Sequence, residues 1–296
     1  MTDLISTGRR RELGAELRRL RERMGINGQE MAARLEWTTT SISRAETGKR
    51  AVSQFEVLKY TTVCGADAMT QAALMDLAVE PDDYRIMRHD GWLPDALKAL
   101  MFHESTAIAI DTYEPIYIPG TMQTEDYIRA LFMAGGKVDP ADMDERVEVR
   151  LSRRKVLTRV SPAQCAFYVH ENALRMPVGG PRVMHEQMLH MLFATSRPQC
   201  SIRVVPTSAG PQGMVAGSFH IFRYSEGAPL VYLQHQTTSE FLESMKELRT
   251  YQGILNRIAS VALTDAQSRE FIAWMASEYE QQGAARHGSG PGVAQE

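Results

Sequence analysis

The chain has 296 residues, of which 44% are hydrophobic and 23% are charged, and its formal net charge is -3. This composition is typical of a soluble globular protein, and it excludes a collagen-like fibre and a fully disordered chain. The sequence has no apolar run of about 18 residues, so no transmembrane helix is expected. Three widely spaced cysteines and an N-terminus without the apolar segment of a signal peptide predict the cytoplasm.

Apolar residues recur at helical spacing through the first 80 residues and predict a compact bundle of about five short helices. Asn27 stands three residues before Glu30, which is the spacing of a capping box, and Thr38 and Ser53 are suited to cap the third and fourth helices. Gly48 ends the third helix. The predicted helices cover residues 11–23, 28–35, 39–46, 53–63 and 67–79.

The rest of the chain mixes helical and extended patterns. We predict a helical linker at residues 81–103, with one or two helices within 85–102 interrupted by Pro94, and an α+β domain at 104–282. The Gly/Ser/Pro-rich residues 283–296 predict a disordered tail. The predicted strands are 107–118, 164–169, 201–205, 218–224 and 230–233, and the predicted helices are 124–133, 140–160, 181–194, 239–262 and 265–282.

The second and third predicted helices have the size of a helix-turn-helix, in which the later helix presents its first residues to base edges in the major groove. The first 60 residues hold 12 Lys+Arg against 8 Asp+Glu, a balance of +4, whereas the rest hold 21 against 28, a balance of -7. A basic N-terminal bundle, residues 1–80 (the head), on an acidic remainder indicates that the head contacts a polyanion, the alternative being that a small domain differs by a few charges by chance. Together with the helix-turn-helix it predicts double-stranded DNA as the partner, and association with the nucleoid when DNA is bound. The predicted DNA-binding residues are Gln29, Thr38, Thr39, Thr40, Ser41, Ser43, Arg44, Lys49 and Arg50.

Different chemistry is expected from these side chains. The hydroxyl groups of Thr39, Thr40 and Ser41 suit base edges, and Arg44 is long enough for a guanine edge or a phosphate. Lys49 and Arg50 suit phosphates. The alternative for the hydroxyl run is a helix cap with solvated neighbours. Residues 9–11, all arginines, predict a basic arm that adds contacts to the DNA backbone or the minor groove. The later arginines of the first helix are interpreted as a solvated face: Arg18, Arg19, Arg21 and Arg23.

Residues 25–50 resemble the Xre/Cro-type helix-turn-helix of phage-repressor-like regulators. The resemblance lies in Ala32 where the two helices cross, in Ile42 at the turn, and in residues 43–50 at the end of the recognition helix. It implies a sequence-specific DNA-binding transcriptional regulator, and we expect a homodimer on a pseudo-palindrome because one recognition helix reads only a few base pairs. Glu36 occupies a turn position where this family often has Gly, so a positive φ there costs about 1 kcal/mol, or the turn differs.

The C-terminal half resembles a large actinobacterial regulator family with an Xre-type head, whose second domain is known only as a domain of unknown function and whose members include antitoxin-like regulators. The resemblance implies a body that binds something which adjusts DNA binding, and in this family a small acidic protein encoded next door is a frequent companion. The matching stretches are residues 114–130, 146–157, 172–184, 217–222 and 231–232.

The predicted docking surface for such a partner is an apolar patch rimmed by Arg146, Arg150 and Arg153. A basic cluster suited to an anionic ligand, with a solvated helix face paired with Glu145 and Glu148 as the alternative, comprises Arg150, Arg153, Arg154 and Lys155. A small-molecule sensor with an enclosed pocket is the alternative to partner binding. The dimer surface is predicted on the closing helices, residues 239–282.

Catalysis is not expected. His185 and His190 flank a Glu in a pattern close to a metalloprotease motif, but five residues on a helix set them about 140° apart. We therefore expect no metal, no cofactor and no enzymatic activity. The predicted fold class is a mainly α N-terminal helix-turn-helix bundle of about five helices at residues 1–80, followed by an α+β C-terminal domain with a small sheet flanked by helices.

Overall fold

The computed structural model describes residues 6–79, 85–89, 95–136, 138–235 and 238–288. The chain divides into two compact units, of which the first comprises residues 1–106, 223–232 and 237–248 and the second comprises 107–222, 233–236 and 249–296. Within the described ranges, none of the helices combines the length and apolarity that crossing a bilayer requires.

Five short helices open the first unit, as the sequence predicts. Their core is built from side chains such as Leu17, Met31 and Val57, each fully buried. The Asn27–Glu30 capping box is present, and the hydroxyls of Thr38 and Ser53 accept the predicted cap hydrogen bonds. The helices are α1 (Gly8–Arg23), α2 (Gly28–Leu35), α3 (Thr39–Glu46), α4 (Gln54–Val63) and α5 (Ala68–Leu77).

The turn between α2 and α3 has the positive φ that is the first of the two possibilities left open by the resemblance. Glu36 lies in the left-handed region, with φ 59° and ψ 34°, so the predicted cost of about 1 kcal/mol for a non-glycine residue applies there. The Trp37 N–H donates to the Ala32 carbonyl oxygen at 2.9 Å and closes the turn. Gly48, with φ 69°, follows α3, and a Cβ there would lie 2.7 Å from the Arg11 backbone nitrogen, so only glycine fits.

The first unit also contains strand pairing that the sequence did not reveal. Strand β1 (Arg85–His89) pairs antiparallel with β7 (Thr238–Leu242), and the strand order in this unit is β1-β7-β6, where β6 is Leu230–Gln234. The predicted helix within 85–102 is therefore wrong for 85–89, because this segment gains hydrogen bonds from a strand far along the chain; α6 (Asp95–Thr106) is helical as predicted, and Pro94 lies outside the described residues.

The predicted helix at 239–262 is wrong at its start. Phe241 and Leu242 are buried in β7, and Ser244 then caps α11 (Met245–Val261) by accepting the Glu247 N–H at 3.2 Å. The alternating burial of a paired strand overrides the helical spacing of these apolar residues.

The second unit is an α+β arrangement, which confirms the predicted fold class. Strands β2, β3 and β4 are parallel, and the order is β5-β2-β3-β4. Helix α12 packs against α10 and against β4. The elements are β2 (Ala109–Glu114), α7 (Glu125–Gly135), α8 (Met143–Ser152), β3 (Gln164–His170), α9 (Glu171–Arg175), α10 (Pro181–Ala194), β4 (Cys200–Val205), β5 (Phe219–Arg223) and α12 (Asp265–Gly288).

Two predicted boundaries in this region are wrong. The predicted helix at 140–160 ends as α8 at Ser152 and continues as a 3-10 segment, Arg153–Leu157. Helix α12 continues to Gly288, so the predicted disordered tail is wrong for 283–288, while 289–296 lie outside the described residues.

Candidate nucleic-acid interface

Helix α3 has one buried face and one exposed polar face. Ile42, Ala45 and Glu46 point into the head, with 2%, 1% and 9% of their surface exposed. The opposite face carries short hydroxyls and one long cation, which is the combination that base edges accept in a major groove. Its exposed residues are Thr39, Thr40, Ser43, Arg44 and Thr47.

The hydroxyl run divides into capping and exposed members. Thr38 Oγ1 accepts the Ser41 N–H at 3.0 Å and donates to Ser41 Oγ at 3.0 Å, so these two side chains fix the first turn of α3. The alternative interpretation as a helix cap therefore applies to Thr38 and Ser41. Thr39 and Thr40 do not cap the helix and are exposed at its N-terminal end.

The other predicted DNA-binding residues lie around α3 in different environments. Gln29 is exposed at the start of α2. The ammonium of Lys49 lies 2.5 Å from a carboxylate oxygen of Glu226, and both side chains remain well exposed. Arg50 is half-buried, with its Nη1 2.8 Å from Glu56 Oε1 and its guanidinium 4.5 Å from the centre of the Trp37 ring.

A buried polar cluster anchors α3 from behind, and sequence reasoning missed it. Arg21 makes two 2.7 Å contacts with the Glu46 carboxylate and donates to the Ile26 carbonyl at 2.9 Å, while the Tyr60 hydroxyl donates to Glu46 at 2.6 Å. The hydrogen bond to Glu46 raises the pKa of Arg21, and desolvation raises the pKa of Tyr60. The cluster therefore ties α1, α3 and α4 together.

The interpretation of the α1 arginines as a solvated face is wrong for Arg21, which is only 9% exposed. The same interpretation is correct for Arg18 and Arg19, which lie at the surface and pair with Glu22 and Glu16 of the same helix. Arg23 is exposed as well. A charged residue at the end of a polar stripe gives no local sign that its partner lies on another helix.

The predicted basic arm is also wrong, because α1 begins at Gly8 and includes all three arginines. Arg9 Nε donates to the Leu77 carbonyl at 3.0 Å, and Arg10 is 9% exposed. Arg11 donates to the Ser6 carbonyl at 2.6 Å and lies over the ring of Tyr224. These side chains stabilise the first unit rather than extend from it.

The predicted rim arginines of the second unit are not equally exposed. Arg153 is 7% exposed, and a Cβ on Gly120 would lie 2.7 Å from its Nη1, so it is packed against the 3-10 helix Gly120–Met122. Arg150 donates to Gln123 Oε1 at 3.3 Å and lies over Phe132. Arg146 is half-buried. Arg153 therefore does not rim an exposed patch.

Two titratable groups near these arginines have shifted pKa values. Burial raises the pKa of Glu114 to about 8, partly offset by the charges of Arg153 and Arg150, and burial lowers the pKa of His220 to about 3. Glu114 Oε1 and His220 Nε2 are 3.9 Å apart, and His220 Nδ1 is 3.0 Å from the hydroxyl of Thr112. Both groups are thus held in their neutral forms near neutral pH.

The histidines of the near-metalloprotease pattern lie in separate surroundings. His185 Nδ1 is 2.9 Å from the Ala276 carbonyl oxygen, whereas burial lowers the pKa of His190. In the described part of the chain, no group of three or more His, Cys, Asp or Glu residues is placed to hold a metal ion. Cys64, Cys165 and Cys200 are buried free thiols.

Comparison with known families gives two matches. A family model described as a helix-turn-helix domain matches residues 12–74, which include α2, the turn at Glu36 and the exposed face of α3. A model described as a domain of unknown function (DUF5753) matches residues 97–273. No curated protein matches the chain. The helix-turn-helix match and the exposed polar face of α3 identify the head as a DNA-binding domain of a regulator.

Proposed function

The chain belongs to the family of the domain of unknown function DUF5753, and we propose that it is an Xre-type, sequence-specific transcriptional regulator of the actinobacterial antitoxin-like kind. One observation carries this proposal: α3 exposes Thr39, Thr40, Ser43 and Arg44 together while Glu46 holds the helix to the head. A helix fixed in this way presents its polar face to a groove without losing its packing.

Each exposed side chain then has a stated role. Thr40 and Arg44 contact base edges, where loss of one good contact costs about 1–3 kcal/mol. Lys49 neutralises a phosphate, so its removal weakens binding to every duplex and lowers the salt slope by about 1. Gln29, at the N-terminal end of α2, donates to a phosphate where the helix dipole favours an anion. Arg50 stabilises the head through its ion pair with Glu56 and its contact with the Trp37 ring. We propose that it also contacts the DNA backbone next to Lys49.

The test uses the full chain and duplexes selected from a random-sequence library. Fluorescence anisotropy then compares the selected duplex with an unrelated one. Thr40→Ala and Arg44→Ala should weaken the selected duplex only, and Lys49→Gln should weaken both. Arg19→Gln is the matched control, because it also removes an exposed charge from the head but lies on α1, paired with Glu16. Failure to enrich any duplex, or equal binding by all variants, contradicts the proposal.

We further propose that two copies bind a pseudo-palindrome, because a single α3 of eight residues spans too few base pairs for specificity. Light scattering of the free protein and of its complex with the selected duplex measures the stoichiometry. A mass of one chain in both states contradicts the dimer.

The C-terminal domain is proposed to bind a partner protein rather than to catalyse a reaction. Exposed apolar side chains on α10 and α12 support this role: Leu189 is 47%, Phe193 66% and Trp274 46% exposed. Cross-linking in the native cell, followed by mass spectrometry after nuclease treatment, should recover a partner with the wild type. Phe193→Ser should lose it and still bind the selected duplex. A small molecule retained by the protein in native mass spectrometry, without any protein partner, favours a sensor instead.

A further inference from the structure

A turn of the family domain lies against the DNA-binding head within the first unit. Residues 224–229 connect β5 to β6, and the Ala228 N–H donates to the Ser6 carbonyl at 3.3 Å. Arg11 of α1 donates to the Ala228 carbonyl at 3.3 Å and places its guanidinium 4.0 Å from the centre of the Tyr224 ring. Gly227 has φ 98°, and a Cβ there would collide with Arg11, so the turn is closely fitted to α1.

This turn carries a carboxylate to the edge of the recognition helix. Glu226 Oε2 lies 2.5 Å from the ammonium of Lys49, which follows α3 and is a proposed phosphate contact. The side chains are 68% and 49% exposed, so the pair is accessible to a DNA backbone. The Ser6 hydroxyl donates to the Gly48 carbonyl at 2.8 Å and connects the two sides of the contact.

A carboxylate and a phosphate compete for the same ammonium group. DNA must displace Glu226 from Lys49 to use that charge, and the displaced carboxylate then lies close to an anionic backbone. An exposed ion pair of this kind shifts an equilibrium by about 1.4- to 5-fold. The contact is thus strong enough to lower DNA affinity and weak enough to open.

We propose that the turn at residues 224–229 is an autoinhibitory contact, in which Glu226 holds Lys49 and lowers the affinity of the head for all duplex DNA. This inference rests on the proposed DNA-binding function. It assigns the family domain a direct means of control: a ligand or partner that moves the turn releases Lys49 to a phosphate.

The experiment measures duplex binding by the full chain at several NaCl concentrations, with the library-selected duplex and an unrelated duplex as probes. Glu226→Gln should tighten binding to both by about 1.4- to 5-fold and steepen the salt dependence by up to about one unit of slope. In the Lys49→Gln background the same substitution should have no effect. Glu125→Gln, an equal charge change in an exposed ion pair with Arg129 of α7, is the matched control and should leave both affinities unchanged.

The possible results separate the two proposals. A wild type that binds a selected duplex, with Glu226→Gln binding it equally or more weakly, overturns the autoinhibitory contact alone. A gain that persists with Lys49→Gln also overturns it, because the carboxylate then acts as a general negative charge. A wild type that binds no duplex overturns the proposed function and this contact with it. Circular dichroism of each variant verifies that the head is folded.

Discussion

The buried cluster behind α3 gives the sharpest prediction of stability. Glu46→Ala removes the acceptor of two 2.7 Å contacts from Arg21 and of the 2.6 Å hydrogen bond from Tyr60. The side chains of Arg21 and Glu46 are 11% and 6% exposed, so the guanidinium that remains has little access to water.

The magnitude follows from that burial. Removing one partner of a buried ion pair costs about 3–5 kcal/mol, because the other charge stays desolvated. Tyr60→Phe, which removes one hydrogen bond to a charged group, should cost about 1.5–3 kcal/mol. Arg21→Met in the Glu46→Ala background should recover part of the loss, because no charge is then left buried without its partner.

Urea denaturation followed by circular dichroism, together with peptide-resolved hydrogen exchange of α1 and α3, measures these losses in the head. Glu16→Ala is the matched control, since it removes a carboxylate that contacts Arg19 at 2.6 Å at the surface of α1. It should cost below about 1 kcal/mol. If Glu46→Ala costs no more than Glu16→Ala, the cluster does not anchor α3 and the reasoning is refuted.

Three further predictions concern packing, thiol reactivity and pH. Gly14→Ala should lower the free energy of unfolding by about 1–3 kcal/mol in urea titrations, because the new Cβ would lie 2.5 Å from a carbonyl oxygen of α3. Gly28→Ala is the control and should not lower it, because the space around Gly28 is open. Burial raises the pKa of the Cys64 thiol to about 11, so iodoacetamide should label it, by mass spectrometry, only as the head unfolds. The pH dependence follows from two buried groups, since the unfolded state protonates His220 more readily below pH 6.5 and ionises Glu114 more readily above pH 4.5. The two effects cancel between about pH 4.5 and 6.5, so stability should be level there and should fall from pH 4.5 towards 3 and from pH 6.5 towards 8. In urea titrations at each pH, His220→Gln should remove the fall on the acid side and Glu114→Gln the fall on the alkaline side.

Sequence patterns predicted those helices whose ends are determined by interactions within a few residues. The ends of α2 and α3 follow from caps within a few residues, so the sequence located the recognition helix and its exposed hydroxyls, whereas the positive φ of Glu36 was only one of two possibilities implied by the resemblance. Sequence patterns could not predict contacts between residues that are far apart along the chain. Arg21 and Glu46 are 25 residues apart, and β1 pairs with a strand about 150 residues later, so neither contact leaves a mark in helical or strand periodicity.

The division of α3 into a buried face and an exposed face has a consequence for specificity. Its packing energy comes from Ile42, Ala45 and Glu46, whereas Thr40 and Arg44 are exposed. Surface substitutions away from packed features usually change stability by no more than about 0.5 kcal/mol, while loss of a base contact costs about 1–3 kcal/mol of binding. Exchanging the exposed residues should therefore change the preferred duplex without unfolding the head, and because Lys49 and Glu226 lie outside that face, the autoinhibitory contact should act with the same strength on whichever sequence is read.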